Sequence, residues 1–326
     1  MNRRILLKIL NQTIHQLTLP TPFAVGDVHV YLIKGDMLSL VDAGVKTKEA
    51  WESLTHQLKQ LGYRPEDIEQ LILTHHHPDH IGLIEEFPRL HHISAHKHVD
   101  LWLRRDEEYL QKYEHFFRSF YALTGVPSRF DYVFKHMRKP LNYSGQGVVT
   151  NPLREGDLIP GHDQWQVINT KGHAQTHLSL FSERDGGFIG GDHLLANTSP
   201  NPLLEAPYGN NVDREKPLLQ YRANLRKCLS LGIHTVYPGH GDPFTNPETL
   251  IHRRLKRQEY YANKVYQLLV DNPMPPFKVC QQLFPKQYKK QLELTMSETI
   301  GQLDLLEEQG RVDPKIENEL LVYHAV

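Results

Sequence analysis

The sequence predicts a layered α/β fold with mixed sheets and its chemistry in the loops at strand ends. Three observations carry that expectation: short alternating apolar runs recur along the chain, an amphipathic helical pattern follows the first two, and polar residues rich in histidine sit at the C-terminal ends of the runs. The runs VHVYLI and LSLV, between Val28 and Val41, are joined at Lys34-Gly35-Asp36 and read as a hairpin. From Thr47 to Leu61 the residues Trp51, Leu54, Leu58 and Leu61 lie three or four apart, as on one helix face, and Gly62 is a stop. The strand IEQLILT then runs into His75, and HHISAH, WQVINT, LSLF, GFIGGD and HTVYPGH continue the pattern.

Two segments depart from it. From about Lys97 to Leu123 the chain is largely helical and rich in aromatics, among them Trp102, Tyr109, Tyr113 and Phe117, with a looser piece to Gly147. It reads either as an insertion covering a site or as a helix pair packed on the sheet. Near Pro247 strand signals stop, and helical patterns occupy Glu248 to Val270, Phe277 to Phe284 and Ser297 to Gln309, followed by a short hairpin. Helices followed by a small β-wing outline a winged-helix-like module. The expected division is therefore a catalytic domain over 1–246, with the insertion at about 97–147, and a C-terminal module over 247–326.

Composition narrows the function. The 37 Lys+Arg against 38 Asp+Glu leave a formal net charge of -1, so no global basic field points to nucleic acid or an anionic membrane. Cys228 and Cys280 are too few for a disulfide framework, and Cys228 sits at helical spacing from Leu225, as a core residue would. The opening MNRRILLKILNQTIHQL is interrupted by Lys8, Asn11 and Gln12 and reads as a short strand or helix rather than a signal peptide. No stretch approaches ~18 uninterrupted apolar residues, so no membrane span is expected. Cytoplasmic residence is the default. The 21 histidines make metal chemistry the first thing to test.

The strongest signal is Thr74-His75-His76-His77-Pro78-Asp79-His80, directly after the strand LIL. Imidazole and carboxylate are ligands that Zn²⁺ prefers. His75 and His77, two apart on a turn leaving a strand, can converge on one ion, while Asp79 and His80 can hold a second. Four more polar residues stand at strand ends in a consistent order: Asp42 in VDAG, His173 in TKGH, Asp192 in GGDH and His240 in PGHG. His96 and His98 repeat the H-x-H spacing without partners elsewhere. His177 and His193 read as packing or supporting residues, and His91, His92, His115, His136, His162 and His252 as surface positions.

Together these motifs resemble the five ordered motifs of the metallo-β-lactamase superfamily, over about Val25 to Thr245. The resemblance implies an αββα sandwich with metal ligands along one edge of two sheets. His75, His77 and His173 would bind the first metal, Asp79, His80 and His240 the second, and Asp192 would bridge both. Asp42 resembles the residue that fixes the metal loop from behind. Lys171 departs from the family, which often has proline there. The glycines at 172, 191, 239 and 241 would let the backbone turn and approach the ions.

The implied reaction is hydrolysis by a hydroxide held between two ions, expected to be zinc with iron or manganese as alternatives. Asp79 and Asp192 would be the catalytic carboxylates, Asp79 orienting the attack, and Tyr208 is a candidate to stabilise an oxyanion. The nearest outline is the glyoxalase II-like branch, which implies a small thioester, ester or lactone, and an aromatic insertion would suit an apolar acyl group. An endoribonuclease or phosphodiesterase is the first alternative, favoured by the run Arg253, Arg254, Lys256, Arg257, whose plainer reading is a solvated helix face. A mononuclear iron enzyme like the persulfide dioxygenases is the second. The acidic helix SETIGQLDLLEEQG argues against groove binding, and its Ile300, Leu303, Leu305 and Leu306 need burial against the hydrolase domain or in a homodimer.

Overall fold

The computed structural model describes residues 8–9, 14–209 and 212–326. The N-terminal run, expected as a strand or helix, lies partly outside these residues; its described parts, β1 (Lys8–Ile9) and β2 (Ile14–Leu19), are strands. They open a sheet that continues in order through β3 (Val28–Lys34), β4 (Leu38–Val41), β5 (Gln70–Leu73), β6 (His92–His96) and β7 (Asn151–Leu153). A second sheet runs β13 (Phe244–Thr245), β12 (Thr235–Pro238), β11 (Gly187–Gly191), β10 (Leu178–Ser182), β9 (His162–Asn169) and β8 (Leu158–Ile159). β4 and β5 pair in parallel because helix α1 (Lys48–Gln60) carries the chain back between them. Thr47 caps α1 by accepting the Ala50 amide at 3.2 Å.

Side-chain alternation builds the layers. In β3, Val30 and Leu32 face a core shared with Ala50, Leu54 and Leu58 of α1, whereas Tyr31 and Ile33 face the other way. They meet Trp165, Val167, Leu178, Leu180 and Ile189 of the second sheet. Phe181 and Phe188 point outward from that sheet onto Tyr221, Leu225 and Cys228 of α4 (Pro217–Ser230). The result is an αββα sandwich, with both sheets buried on both faces. His162, expected at the surface, is instead buried, with its Nε2 2.8 Å from the Ser39 hydroxyl beneath the β3–β4 turn. Gly35 leaves the space for it, since a Cβ there would lie 2.5 Å from the ring.

The insertion folds as α2 (Val99–Leu103), α3 (Glu107–Leu123) and two short 3-10 turns, and the C-terminal part as α5 (Glu248–Asp271), α6 (Pro276–Leu283), α7 (Leu292–Glu308) and the hairpin β14 (Val312–Glu317)–β15 (Leu320–Ala325). α7 starts five residues before the expected Ser297 because Leu292 and Met296 extend its apolar spacing to Ile300 and Leu303. Phe117, Tyr121 and Phe130 of the insertion share one hydrophobic cluster with Val265, Phe277, Ile300 and Leu306 of the C-terminal helices. Ile300, Leu303, Leu305 and Leu306 are all buried within the chain. No helix among the described residues is long and apolar enough to cross a membrane.

Arg254 departs from the reading of a solvated basic face. It is buried, while Arg253, Lys256 and Arg257 are exposed.

Asp304, fully enclosed on α7, is held by both guanidinium nitrogens of Arg214, with Nη1 2.8 Å from Oδ2, and Arg214 also lies over the Phe120 ring of α3. Removing one partner of a buried pair strands the other charge. Arg214→Ala should therefore lower stability by about 3 kcal/mol or more in urea unfolding, and the double change to leucine with Asp304→Leu should recover most of it. An unchanged midpoint for the single variant would contradict this account.

Candidate metal centre

The residues singled out at strand ends converge along one edge of the sandwich. The β5 strand ends at Leu73, and the loop beyond it carries the four candidates from His75 to His80. The loop after β9 brings His173, the end of β11 brings Asp192, and the end of β12 brings His240. Their ligand-type atoms form three overlapping groups, each within 4.8 Å: His75, His77 and His173; His75, His80 and Asp192; and Asp79, His80 and His240. Among the described residues, no such group includes His76, His96, His98, His177 or His193.

Hydrogen-bond partners fix which ring nitrogen faces inward. His173 Nδ1 donates to the Asn201 carbonyl at 3.0 Å and His240 Nδ1 to the Asp27 carbonyl at 2.8 Å, since a carbonyl can only accept. His80 Nδ1 donates to Asp42 Oδ2 at 2.8 Å. The Thr74 hydroxyl donates to the same oxygen at 2.9 Å, so its own oxygen accepts from His75 Nδ1 at 3.0 Å. In each case Nε2 faces the cluster. There His75 Nε2 lies 2.9 Å and His173 Nε2 3.1 Å from His77 Nδ1.

Asp192 sits between the two halves, with Oδ2 3.5 Å from His173 Nε2 and 3.6 Å from His240 Nε2, and Oδ1 3.6 Å from His80 Nε2. Asp79 Oδ2 is 3.3 Å from His240 Nε2. His80 Nε2, His240 Nε2 and Asp192 Oδ1 are buried without a hydrogen-bond partner. Orphaned, inward-facing nitrogen and carboxylate donors of this kind fit divalent transition metals.

The electrostatics divide the histidines. Burial, with neighbouring imidazoles adding to it, holds His75 and His77 far below the usual range, and burial also lowers His173, so these rings stay neutral. Burial would lower His80 too, but the carboxylates of Asp42, Asp192 and Asp79 outweigh it and raise its pKa. His240 is raised in the same way by Asp192 and Asp79. Burial opposes ionisation of Asp192, yet His240 and His80 pull its carboxyl well below the usual range.

Supporting residues come from several elements. Asp42 adopts φ 66°, a left-handed conformation rare for a side chain with a Cβ, and also accepts the Thr74 amide at 2.7 Å. His177 is committed at both nitrogens, accepting the Asp192 amide at 3.0 Å while Nδ1 pairs with Thr170 at 2.8 Å. Gly239 must lack a Cβ, which would lie 2.3 Å from Asp192 Oδ1. Arg254 of α5 donates to the carbonyls of His193, Leu195 and Thr198 in the loop after Asp192, the loop whose Asn201 carbonyl holds His173.

An apolar cavity of about 250 Å³ adjoins the cluster at His77 and Pro78 and runs past Trp102, Phe117 and Leu204. The insertion therefore forms a wall of the space beside the candidate ligands, and Leu294 and Ser297 of α7 form another. His76 stacks on Trp102 at 4.2 Å with its Nδ1 2.8 Å from the Thr176 hydroxyl. Tyr208 is not among the lining residues. Its ring stacks between His98 and Tyr109, and its hydroxyl accepts from Trp102 Nε1 at 3.1 Å and donates to Glu205 Oε2 at 3.1 Å. A larger hollow of about 400 Å³ near Arg257 and Tyr261 touches none of the candidate ligands.

Sequence reasoning missed Glu205, which is buried in the cavity wall, and the buried role of Arg254. Glu205 did leave a signal: a lone acid inside the apolar stretch NPLLEAP.

The sequence profile of the Metallo-beta-lactamase superfamily matches residues 24–240. The chain belongs to the metallo-β-lactamase superfamily. Members bind divalent metals, and the His/Asp cluster is where this one could hold them. The probable metallo-hydrolase YqjP of Bacillus subtilis is 44% identical over 288 residues, covering 88% of this chain and 90% of that protein. An atrochrysone carboxyl ACP thioesterase of Aspergillus fumigatus is 23% identical over 229 residues, 69% of this chain and 54% of its own length. A metallo-β-lactamase family protein of Thermus thermophilus superposes with a TM-score of 0.79 at 26% identity, over 97% of this chain and 100% of that one. That superposition extends through the insertion and the C-terminal helices.

Glu205 also makes stability depend on pH. Burial pushes its carboxyl from 4.5 up to about 7, against the hydrogen bonds from Gln175 and Tyr208. Between those values the unfolded chain gives up a proton that the folded chain keeps, so stability falls as pH rises from 4.5 to 7 and then levels off. Relative to Glu205→Gln, the protein should lose up to about 3 kcal/mol across that window in denaturant titrations. Parallel curves for the two proteins would refute this.

Proposed function

We propose that the chain is a two-zinc hydrolase of small thioesters or esters with an apolar acyl part. The observation that carries the reading is the apolar cavity opening beside His77, which offers the acyl chain a place next to the candidate ligands. The relative named as a thioesterase supports the thioester as the bond attacked. In this reading His75, His77 and His173 would hold one ion and Asp79, His80 and His240 the other, with Asp192 available to both. When bound, the ions supply Lewis acidity and bring the pKa of a water near neutrality.

The chain's own residues do the rest. Asp79, its carboxylate facing the cluster, accepts a hydrogen bond from the attacking water and orients it. Asp42 keeps Nδ1 of His80 protonated and Thr74 in register, which keeps Nε2 of both His80 and His75 aimed inward. Trp102, Phe117 and Leu204 exclude water from the acyl side. Placement in the glyoxalase II-like branch belongs to the same proposal, as does cytoplasmic residence, which the free buried thiols of Cys228 and Cys280 support. Nucleic acid fits less well. The helix that would enter a groove is enclosed by its neighbours, and Arg254 is spent on backbone carbonyls.

Elemental analysis after mild zinc loading should give two ions per chain, with hydrolysis of thioesters. One stable iron and no hydrolysis would move the reading to the dioxygenase class. Asp192→Ala should lose metal and activity together, whereas His96→Ala should keep both; the reverse would show the ligands to be assigned wrongly. Asp42→Asn, which turns an amide toward the Thr74 and His80 donors, should weaken metal affinity by roughly 10- to 100-fold in a chelator competition, with the fold retained.

A further inference from the structure

The cavity beside His77 is lined mainly by apolar side chains, and one acid is buried in its wall. Glu205 is 4% exposed and lines the cavity. Its Oε1 accepts the Gln175 amide at 2.8 Å and its Oε2 the Tyr208 hydroxyl at 3.1 Å. Both donors are neutral. Among the described residues, no Lys, Arg or His nitrogen pairs with this carboxylate within 4.0 Å. A carboxylate has about four acceptor sites, so two are left once these bonds are made.

Such a group is costly to bury unless something completes its shell. Burial raises its pKa to about 7, which measures that cost. Structural need does not by itself require an acid here: leucine would strand the Gln175 and Tyr208 donors, but glutamine could still accept from both with no charge to bury. Glu293 and His136 in the lining are exposed, His76 is committed to Thr176, His77 belongs to the candidate metal cluster, and no lysine or arginine lines the space. An anionic group placed against Glu205 would be repelled by it, with no lysine or arginine in the lining to offset that repulsion.

We propose that Glu205 is the specificity-determining residue of this cavity, selecting acyl groups that carry a hydrogen-bond donor, above all an ammonium, and rejecting those that carry a carboxylate. The proposal rests on the reading of the cavity as the acyl site. Tyr208 and Trp102 act as positioning residues. The Trp102 indole donates to the Tyr208 hydroxyl, whose proton is thereby directed at Glu205 Oε2. The chain of donors holds the carboxylate against the wall and leaves its remaining lone pairs to the substrate.

Thioether analogues of short-chain thioesters, butyl to octyl, carry no scissile carbonyl and test binding without turnover. Calorimetry on the zinc-loaded protein would compare chains bearing a methyl, a hydroxyl, an ammonium or a carboxylate. The ammonium and hydroxyl forms should bind roughly tenfold or more tightly than the methyl form, and the carboxylate form more weakly than the methyl form. Glu205→Gln should abolish the ammonium preference and keep the hydroxyl one, while Glu205→Leu should lose both and favour methyl, with thermal unfolding confirming that each variant folds. Equal binding of methyl and ammonium forms by the unaltered protein would overturn the proposal, as would a Glu205→Gln change that shifts all four alike. If the expected binding order holds but the parent thioesters are not cleaved, the proposed reaction fails and the specificity inference stands.

Discussion

The metal-loop geometry depends on one carboxylate held in an unfavourable backbone conformation. Asp42 closes β4 at φ 66°, where a residue with a Cβ pays on the order of 1 kcal/mol, and from there both its oxygens reach across to the loop after β5. Three donors converge on it: the Thr74 amide, the Thr74 hydroxyl and His80 Nδ1. Because β4 and β5 are parallel neighbours, their C-terminal ends lie side by side, and this bridge is short. It sets the exit direction of the chain at Thr74, and with it the tautomers of His75 and His80. Loss of the carboxylate would leave three inward-facing donors competing for nothing.

The second constraint comes from outside the sandwich. The loop from His193 to Asn201 has no helix or strand to order it, yet its Asn201 carbonyl orients His173. Arg254 supplies the missing order by donating to three carbonyls of that loop and to the Tyr221 hydroxyl. The guanidinium suits this task because its planar fork presents several donors at fixed angles. The C-terminal helices thus serve the site twice, through Arg254 behind the candidate ligands and through α7 in the cavity wall. The aromatic insertion completes that wall from the other side, and its hydrophobic cluster with the C-terminal helices makes the two behave as one packed unit.

These layers differ in how far the sequence discloses them. The strands and their faces follow from alternation, since Val30 and Leu32 differ from Tyr31 and Ile33 only by the period of the backbone, and the His75-to-His80 run announces itself because its members are adjacent in sequence. Asp42, His173, Asp192 and His240 were readable as strand-end polar residues, although only the tertiary fold brings them together. Arg254 was not readable, because a basic run on a helix has the same composition whether one member is buried or none. His162 failed for the same reason: what buries it is Gly35, more than 120 residues earlier. The side of the fold on which the insertion packs depends on long-range contacts that no local pattern encodes.

Charge compensation explains why the two kinds of buried acid here play different parts. Asp79 and Asp192 lie among imidazoles that can carry protons, so without metal the carboxylates and His80 and His240 neutralise one another, and a divalent cation can replace those protons at small electrostatic cost. Glu205 has no such neighbours. The hydrogen bonds from Gln175 and Tyr208 offset its burial only in part, so it is held closer to neutral while the others are held ionised. Within one pocket system the fold therefore maintains one set of carboxylates suited to metal and a single carboxylate suited to an organic hydrogen-bond donor. That difference arises from the company each acid keeps rather than from the residue type.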